Sequence, residues 1–254
     1  MIPLPIQAGL WGLLSGSALL IGATIGWFVA MPRKMVAAIM AFGSGVLISA
    51  LSFELMDEAW KEGGFVAVGV GFIGGAALYT LLNIALAARG ARHRKRSDAP
   101  SRNEHGKVAP GGNSASLALG ALIDGVPDSI VIGTSLLAGG AIGWVAVAAV
   151  FLSNLPEGLS SAAGARSEGK SAAFTFALWA GIALSAGLSS FAGYTLFDGA
   201  PPEVLAGVQG VAAGAILAMI IDTMVPEAFE GTHDFAGLIA VFGFLTAFGL
   251  SKLA

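Results

Sequence analysis

Long apolar runs alternate with short polar or glycine-rich breaks along the 254 residues, and their spacing predicts eight membrane-length helices. The runs lie at about 8–30, 36–59, 65–89, 114–138, 141–165, 172–197, 203–226 and 235–253. Most are near the roughly 20 residues that a helix needs to cross a bilayer. The breaks carry turn or charge signals: Pro32-Arg33-Lys34, Lys61-Glu62-Gly63-Gly64, the polar run 90–113, Gly139-Gly140, Ser167-Glu168-Gly169-Lys170, Asp198-Gly199-Ala200-Pro201-Pro202 and Gly231-Thr232-His233-Asp234. Runs four and five share a very short link, which makes them antiparallel neighbours. The expectation is one all-α, polytopic transmembrane domain over residues 1–254.

Composition strengthens that picture. Hydrophobic residues make up 56% of the chain and charged ones 11%, with a mean hydropathy of +0.81; a soluble domain carries about 25% charged residues. Thirty-seven glycines suit close helix packing, because lipid supplies no hydrophobic drive between helices. With no cysteine, disulfides and thiolate metal sites are excluded. The first lysine or arginine is Arg33, and the run from Ala8 to Ala30 is long enough to span, so a first helix is expected rather than a cleaved signal.

Charge placement gives an orientation. Eleven of the thirteen basic residues fall on one side of the eight-helix plan, and only Lys61 and Lys252 lie opposite. The positive-inside rule then puts both termini outside and the loop 90–113 in the cytoplasm, in a plasma membrane of bacterial type. That loop, with Arg92, Arg94, Lys95 and Arg96, reads as a flexible anchor on anionic headgroups. A weaker alternative makes His93, Glu104 and His105 a metal-collecting segment.

The chain also echoes itself. Gly45, Glu58, Ala59 and Trp60 align with Gly214, Glu227, Ala228 and Phe229 at an offset of 169 positions, in runs of opposite direction. An offset of 29 lays Pro127-Asp128 on Pro156-Glu157, again in opposite directions. Inverted repeats around a mid-membrane site are a transporter signature.

Runs four and five carry the chemistry. They contain Asp124-Gly125-Val126-Pro127-Asp128 and Ser153-Asn154-Leu155-Pro156-Glu157-Gly158. A carboxylate in hydrocarbon is costly, so it marks a functional site by default. Asp124 and Asp128 are four residues apart, as are Ser153 and Glu157, so each pair shares a helix face, with Asn154 close to it. Each proline frees a carbonyl one turn earlier. Together these form an all-oxygen donor set rich in negative charge, which either takes up protons or holds a divalent cation. Serine and asparagine in membrane helices also serve as plain interhelical hydrogen-bonding groups, and that reading stands beside the ligand role for Ser153 and Asn154. Glu54 and Asp222 lie deep enough to line a path. Asp57, Glu58, Glu227 and Glu230, nearer the ends of runs, read as solvated rim charges.

At these residues the chain resembles the ZIP (Zrt/Irt-like) divalent metal transporters. Ser153-Asn154-Leu155-Pro156-Glu157-Gly158 is similar to the family's His-Asn-x-Pro-Glu-Gly, and Asp124-Gly125-Val126-Pro127-Asp128 looks like a variant of the same element. Glu54-Leu55-Met56-Asp57-Glu58-Ala59 is similar to the family's Glu-Leu-x-Pro-Glu-Ala, echoed by Met224-Val225-Pro226-Glu227-Ala228. The resemblance implies a 3+2+3 arrangement of eight helices and a homodimer. It implies a first metal position at Asp124, Asp128, Ser153 and Glu157, and a second at Asp128, Asn154 and Glu157. Here both motif histidines are absent, Gly125 removes a second-position ligand, and Ser189-Ser190 stand where many members carry a glutamate. One metal is therefore expected rather than two.

The function expected is transport of a divalent cation (zinc, manganese, iron or cadmium) towards the cytoplasm, with the metal as substrate and no cofactor. Neither an enzyme nor a nucleic-acid binder is expected. The alternatives are a proton-coupled or exporting protein of the same fold, a non-transporting metal sensor, and an intramembrane hydrolase using Asp124 and Asp222.

Overall fold

The structure, a computed structural model, describes residues 2–86, 114–137, 144–167 and 169–253. Among them every regular element is helical: α1 Leu4–Phe28, α2 Arg33–Ala50, α3 Met56–Leu86, α4 Ser114–Ser135, α5 Trp144–Ser167, α6 Ala172–Phe197, α7 Pro202–Met219, α8 Val225–Thr232 and α9 Ala236–Leu253. The loop 90–113 with His93, Glu104 and His105, the end of the third apolar run and the link at 139–140 lie outside the described residues.

Among the described residues, four stretches are long and apolar enough to cross a membrane: Leu4–Phe28, Arg33–Leu86, Ala172–Phe197 and Pro202–Leu253. Their outward surfaces are apolar, as a lipid-facing surface must be; Phe65, Val66, Val70 and Ile73 of α3 and Leu188 and Leu196 of α6 are all exposed. Proline opens α7, with Pro3 and Pro32 just ahead of α1 and α2, positions where its missing N–H costs nothing. Ser171 caps α6 by accepting a hydrogen bond from the Phe174 amide at 3.2 Å. Gly64, Gly169 and Gly199 adopt positive φ at three of the predicted breaks. A side chain there would be strained, which is why glycine stands at those points.

Two features of the backbone are not foreshadowed by hydropathy. Leu51–Leu55 and Ile220–Met224 are π-helical turns joining α2 to α3 and α7 to α8. Each closes with an amide bonded five residues back, Met56 to Leu51 and Val225 to Ile220. The extra residue in such a turn rotates the side chains beyond it relative to those before it. The two segments lie 169 positions apart, the offset of the sequence echo. Leu51, Leu55, Ile220 and Met224 are buried in one cluster with Met40, Tyr79 and Val131.

Helix pairing follows the small residues. The main pairs are α3 with α7, α1 with α5 and α6, α2 with α9, and α4 with α6. Glycine brings backbones together where a Cβ would collide. Gly45 faces the Ala240 carbonyl oxygen at 1.9 Å from an ideal Cβ, and Gly243 faces that of Phe42 at 2.0 Å. Across the other pair, Gly214 faces the Phe72 carbonyl oxygen and Gly75 that of Val211, each at 1.9 Å. The same reciprocal contact thus joins α2 to α9 and α7 to α3.

Candidate functional site

α5 is held against α1 along its motif. Ideal Cβ atoms on Gly22 and Gly26 would stand 2.1 and 2.2 Å from the carbonyl oxygens of Leu155 and Leu159, and one on Gly158 would stand 2.1 Å from that of Leu19. On its other side, Gly43 of α2 lies over the motif: a Cβ there would be 3.3 Å from Pro156 Cγ and 3.7 Å from Ser153 Cα. α4 packs instead on α6, where Gly133 faces the Ser190 carbonyl, and on α7. The two motif helices are therefore carried by different neighbours and touch each other sparingly.

Asp124 and Asp128 are 2% and 3% exposed, and Ser153 and Asn154 are 3% and 6% exposed. Glu157 is half-buried. Burial of two carboxylates on one apolar helix is the feature that sets α4 apart. The Asp124 Oδ1 accepts a hydrogen bond from the Tyr79 hydroxyl of α3 at 3.1 Å. Ser153 donates to the Val150 carbonyl within its own helix at 2.9 Å. The Asn154 side-chain amide donates to the Ser15 carbonyl of α1 at 3.1 Å, so its interhelical hydrogen-bonding role is realised. Among the described residues, no three histidine, aspartate or glutamate side chains stand close enough together to enclose a metal.

The flanking acids divide. Glu54 is half-buried on the first π segment, whereas Asp222 is exposed on the second. Asp57 binds Lys61 one turn on at 2.6 Å, as a solvated rim charge does. Glu227 departs from the rim reading: it is half-buried, and Ser160 of α5 donates its hydroxyl to it. Ser153, Glu157 and Ser160 recur at helical spacing, so Glu227 reaches the face of α5 that bears the motif. Its Pro226-Glu227 dipeptide, the same pattern as Pro127-Asp128 and Pro156-Glu157, is the signal that points to it. Ser190 donates to the Ala8 carbonyl at 2.8 Å.

Gly125 completes the surroundings. A Cβ built on it meets no atom of the described residues within 4 Å, so α4 borders open space among them directly beside Asp124. Compared with protein-family models and with curated proteins, the sequence matches none.

Proposed function

We propose that this chain is a ZIP-like membrane transporter of divalent cations, with the cation held between α4 and α5. The observation that carries the reading is the burial of Asp124 and Asp128 on one face of a proline-bearing helix, with the matching Ser153 and Asn154 buried on proline-bearing α5. A buried carboxylate is stabilised either by a proton or by a cation, and a membrane protein has little structural use for two of them so close. Asp124, Asp128, Ser153, Asn154 and Glu157 are the ligand candidates, and Glu54 and Asp222 flank the path. With no three acids converging among the described residues, one ion bound through at most two carboxylates, neutral oxygens and water is the arrangement favoured.

Helix pairing supports the finer architecture. Exchanging the first three predicted spans with the last three, and the fourth with the fifth, turns the pair α1–α5 into α6–α4 and the pair α2–α9 into α7–α3. All four pairs are present. An inverted repeat of this kind, with α4 and α5 between two three-span blocks, gives two related conformations open to opposite sides. In this reading the eight spans place eleven of the thirteen basic residues in the cytoplasm, and transport runs by alternating access. The proposal extends to a homodimer in a plasma membrane of bacterial type.

Uptake into proteoliposomes tests it, with zinc, manganese, iron and cadmium offered separately. Saturable uptake that falls to the protein-free level in Asp128→Ala and Glu157→Ala is the expected result. Uptake unaltered by both substitutions would remove the site from α4 and α5. Binding without uptake would make the chain a metal sensor.

A further inference from the structure

Gln209 of α7 is 1% exposed, and its amide oxygen has no hydrogen-bond partner among the described residues. An amide oxygen buried without a donor costs free energy. Its direction follows from the packing of α7. Gly210 and Gly214 meet the carbonyl oxygens of Val68 and Phe72, and Gly207 and Val211 present theirs to Gly71 and Gly75, so this face of α7 lies on α3. At about 3.6 residues per turn, Gln209 stands on the opposite side, in a buried row with Ala213, Ile216 and Ile220. Those three share a cluster with Val131 of α4, the other α-helix on which α7 packs. Gln209 thus belongs to the α4 side of α7, and α4 is the helix that buries Asp124 and Asp128.

The repeated frame supplies a control. At the 169-residue offset the counterpart of Gln209 is Met40 of α2, which is fully buried. α2 packs on α5 as α7 packs on α4, and Gly43, one turn beyond Met40, lies over Pro156 and Ser153. A thioether of similar length therefore fills this place in one half with no polar demand. The amide in the other half is not needed for packing and is kept at a cost in stability, as functional groups are.

We propose that Gln209 lines the cation path from the α7 side, where its amide oxygen accepts a hydrogen bond from water in the cation's hydration shell; the proposal rests on the transport reading above. A resident buried water is held by about three hydrogen bonds, and Ala213, Ile216 and Ile220, which share Gln209's row, offer none. A passing cation brings its own water. Water bound to a divalent cation donates more strongly than bulk water, because the ion lowers its pKa. A neutral amide accepts that bond without holding the ion as a further carboxylate would, and an ion in transit must be bound weakly enough to leave. Outer-shell partners of a metal typically change affinity or activity by about tenfold or more.

The test measures initial uptake of manganese and of zinc by full-length protein in liposomes, giving kcat/KM for each, with thermal unfolding in detergent as a second readout. Gln209→Met copies the residue of the other half, and Gln209→Asn keeps an amide. The expected result for Gln209→Met is a kcat/KM about tenfold lower for both metals, with an unfolding midpoint equal to or above that of the parent. Gln209→Asn is expected to recover part of the lost uptake. Uptake unchanged in Gln209→Met would overturn the assignment, because the amide would then be an idle unpaired group. A lowered midpoint in Gln209→Met would also overturn it, since the amide would then serve the fold, and so would equal losses of uptake in the methionine and asparagine variants. Absence of uptake by the unsubstituted protein is a different failure: it would sink the transport reading itself, and this assignment with it.

Discussion

Ser160 of α5 donates its hydroxyl to the carboxylate of Glu227 on α8, a residue 67 positions further along the chain. The bond fastens the short helix that follows the second π segment to the helix that carries Ser153, Asn154 and Glu157. Removing the hydroxyl takes one donor from a half-buried carboxylate, at a cost of about 1–3 kcal/mol. Ser160→Ala is expected to lower unfolding stability in detergent by that amount, while Ser160→Thr keeps most of it. Equal stabilities for the alanine variant and the parent would mean that the bond contributes nothing.

His233 has φ 42 and ψ −110, the one non-glycine residue at positive φ among the described residues. At the 169-residue offset its counterpart is Gly64, with φ 76. Holding a side chain in such a conformation costs on the order of 1–3 kcal/mol. His233→Gly should therefore raise stability by roughly 1 kcal/mol, after the greater chain entropy of unfolded glycine is allowed for. His233→Ala keeps the Cβ and should gain nothing. A pair of thermal unfolding curves in one detergent decides it, and a glycine variant no more stable than the alanine one would refute the strain.

Two glycines make opposite predictions. A Cβ on Gly214 would stand 1.9 Å from the Phe72 carbonyl oxygen, a contact that only separation of α7 from α3 relieves. Gly214→Ala is expected to cost at least about 1–3 kcal/mol, the usual price of overpacking. Purified yield and thermal stability would show it.

Gly125, by contrast, has no atom of the described residues within 4 Å of the built Cβ. Gly125→Asn should fold as the parent does, and better helix propensity adds a few tenths of a kcal/mol. On the proposed transport reading it adds an amide oxygen beside Asp124, and tighter binding of a second metal equivalent is then expected by calorimetry. Loss of folded protein in this variant would show that the space beside α4 is not open.

Much of this protein is written along the chain. The apolar runs require helices, and glycines in the polar breaks between them allow the positive φ found at Gly64, Gly169 and Gly199. The Pro-acid dipeptides at 127–128 and 156–157 are visible because a carboxylate in an apolar run stands out against its neighbours. The echo at 169 positions is equally visible, and it coincides with the two π segments.

Tertiary structure decided the rest, for a physical reason in each case. Hydropathy averages over a turn and so passes over one extra residue in a helix, which leaves the π segments unmarked. Tyr79 and Asp124 are joined by a bond between residues 45 positions apart, and Ser160 and Glu227 by one spanning 67. Nothing local to Tyr79 distinguishes its hydroxyl from a ring that merely packs, and the Pro226-Glu227 dipeptide marks Glu227 without naming Ser160 as its partner. Asp222 and Glu54 look alike in sequence, yet one is exposed and the other half-buried, because burial depends on which helices lie alongside. Helix identity was legible from local patterns. The partners of each polar side chain depended on which backbones the glycines allow to touch.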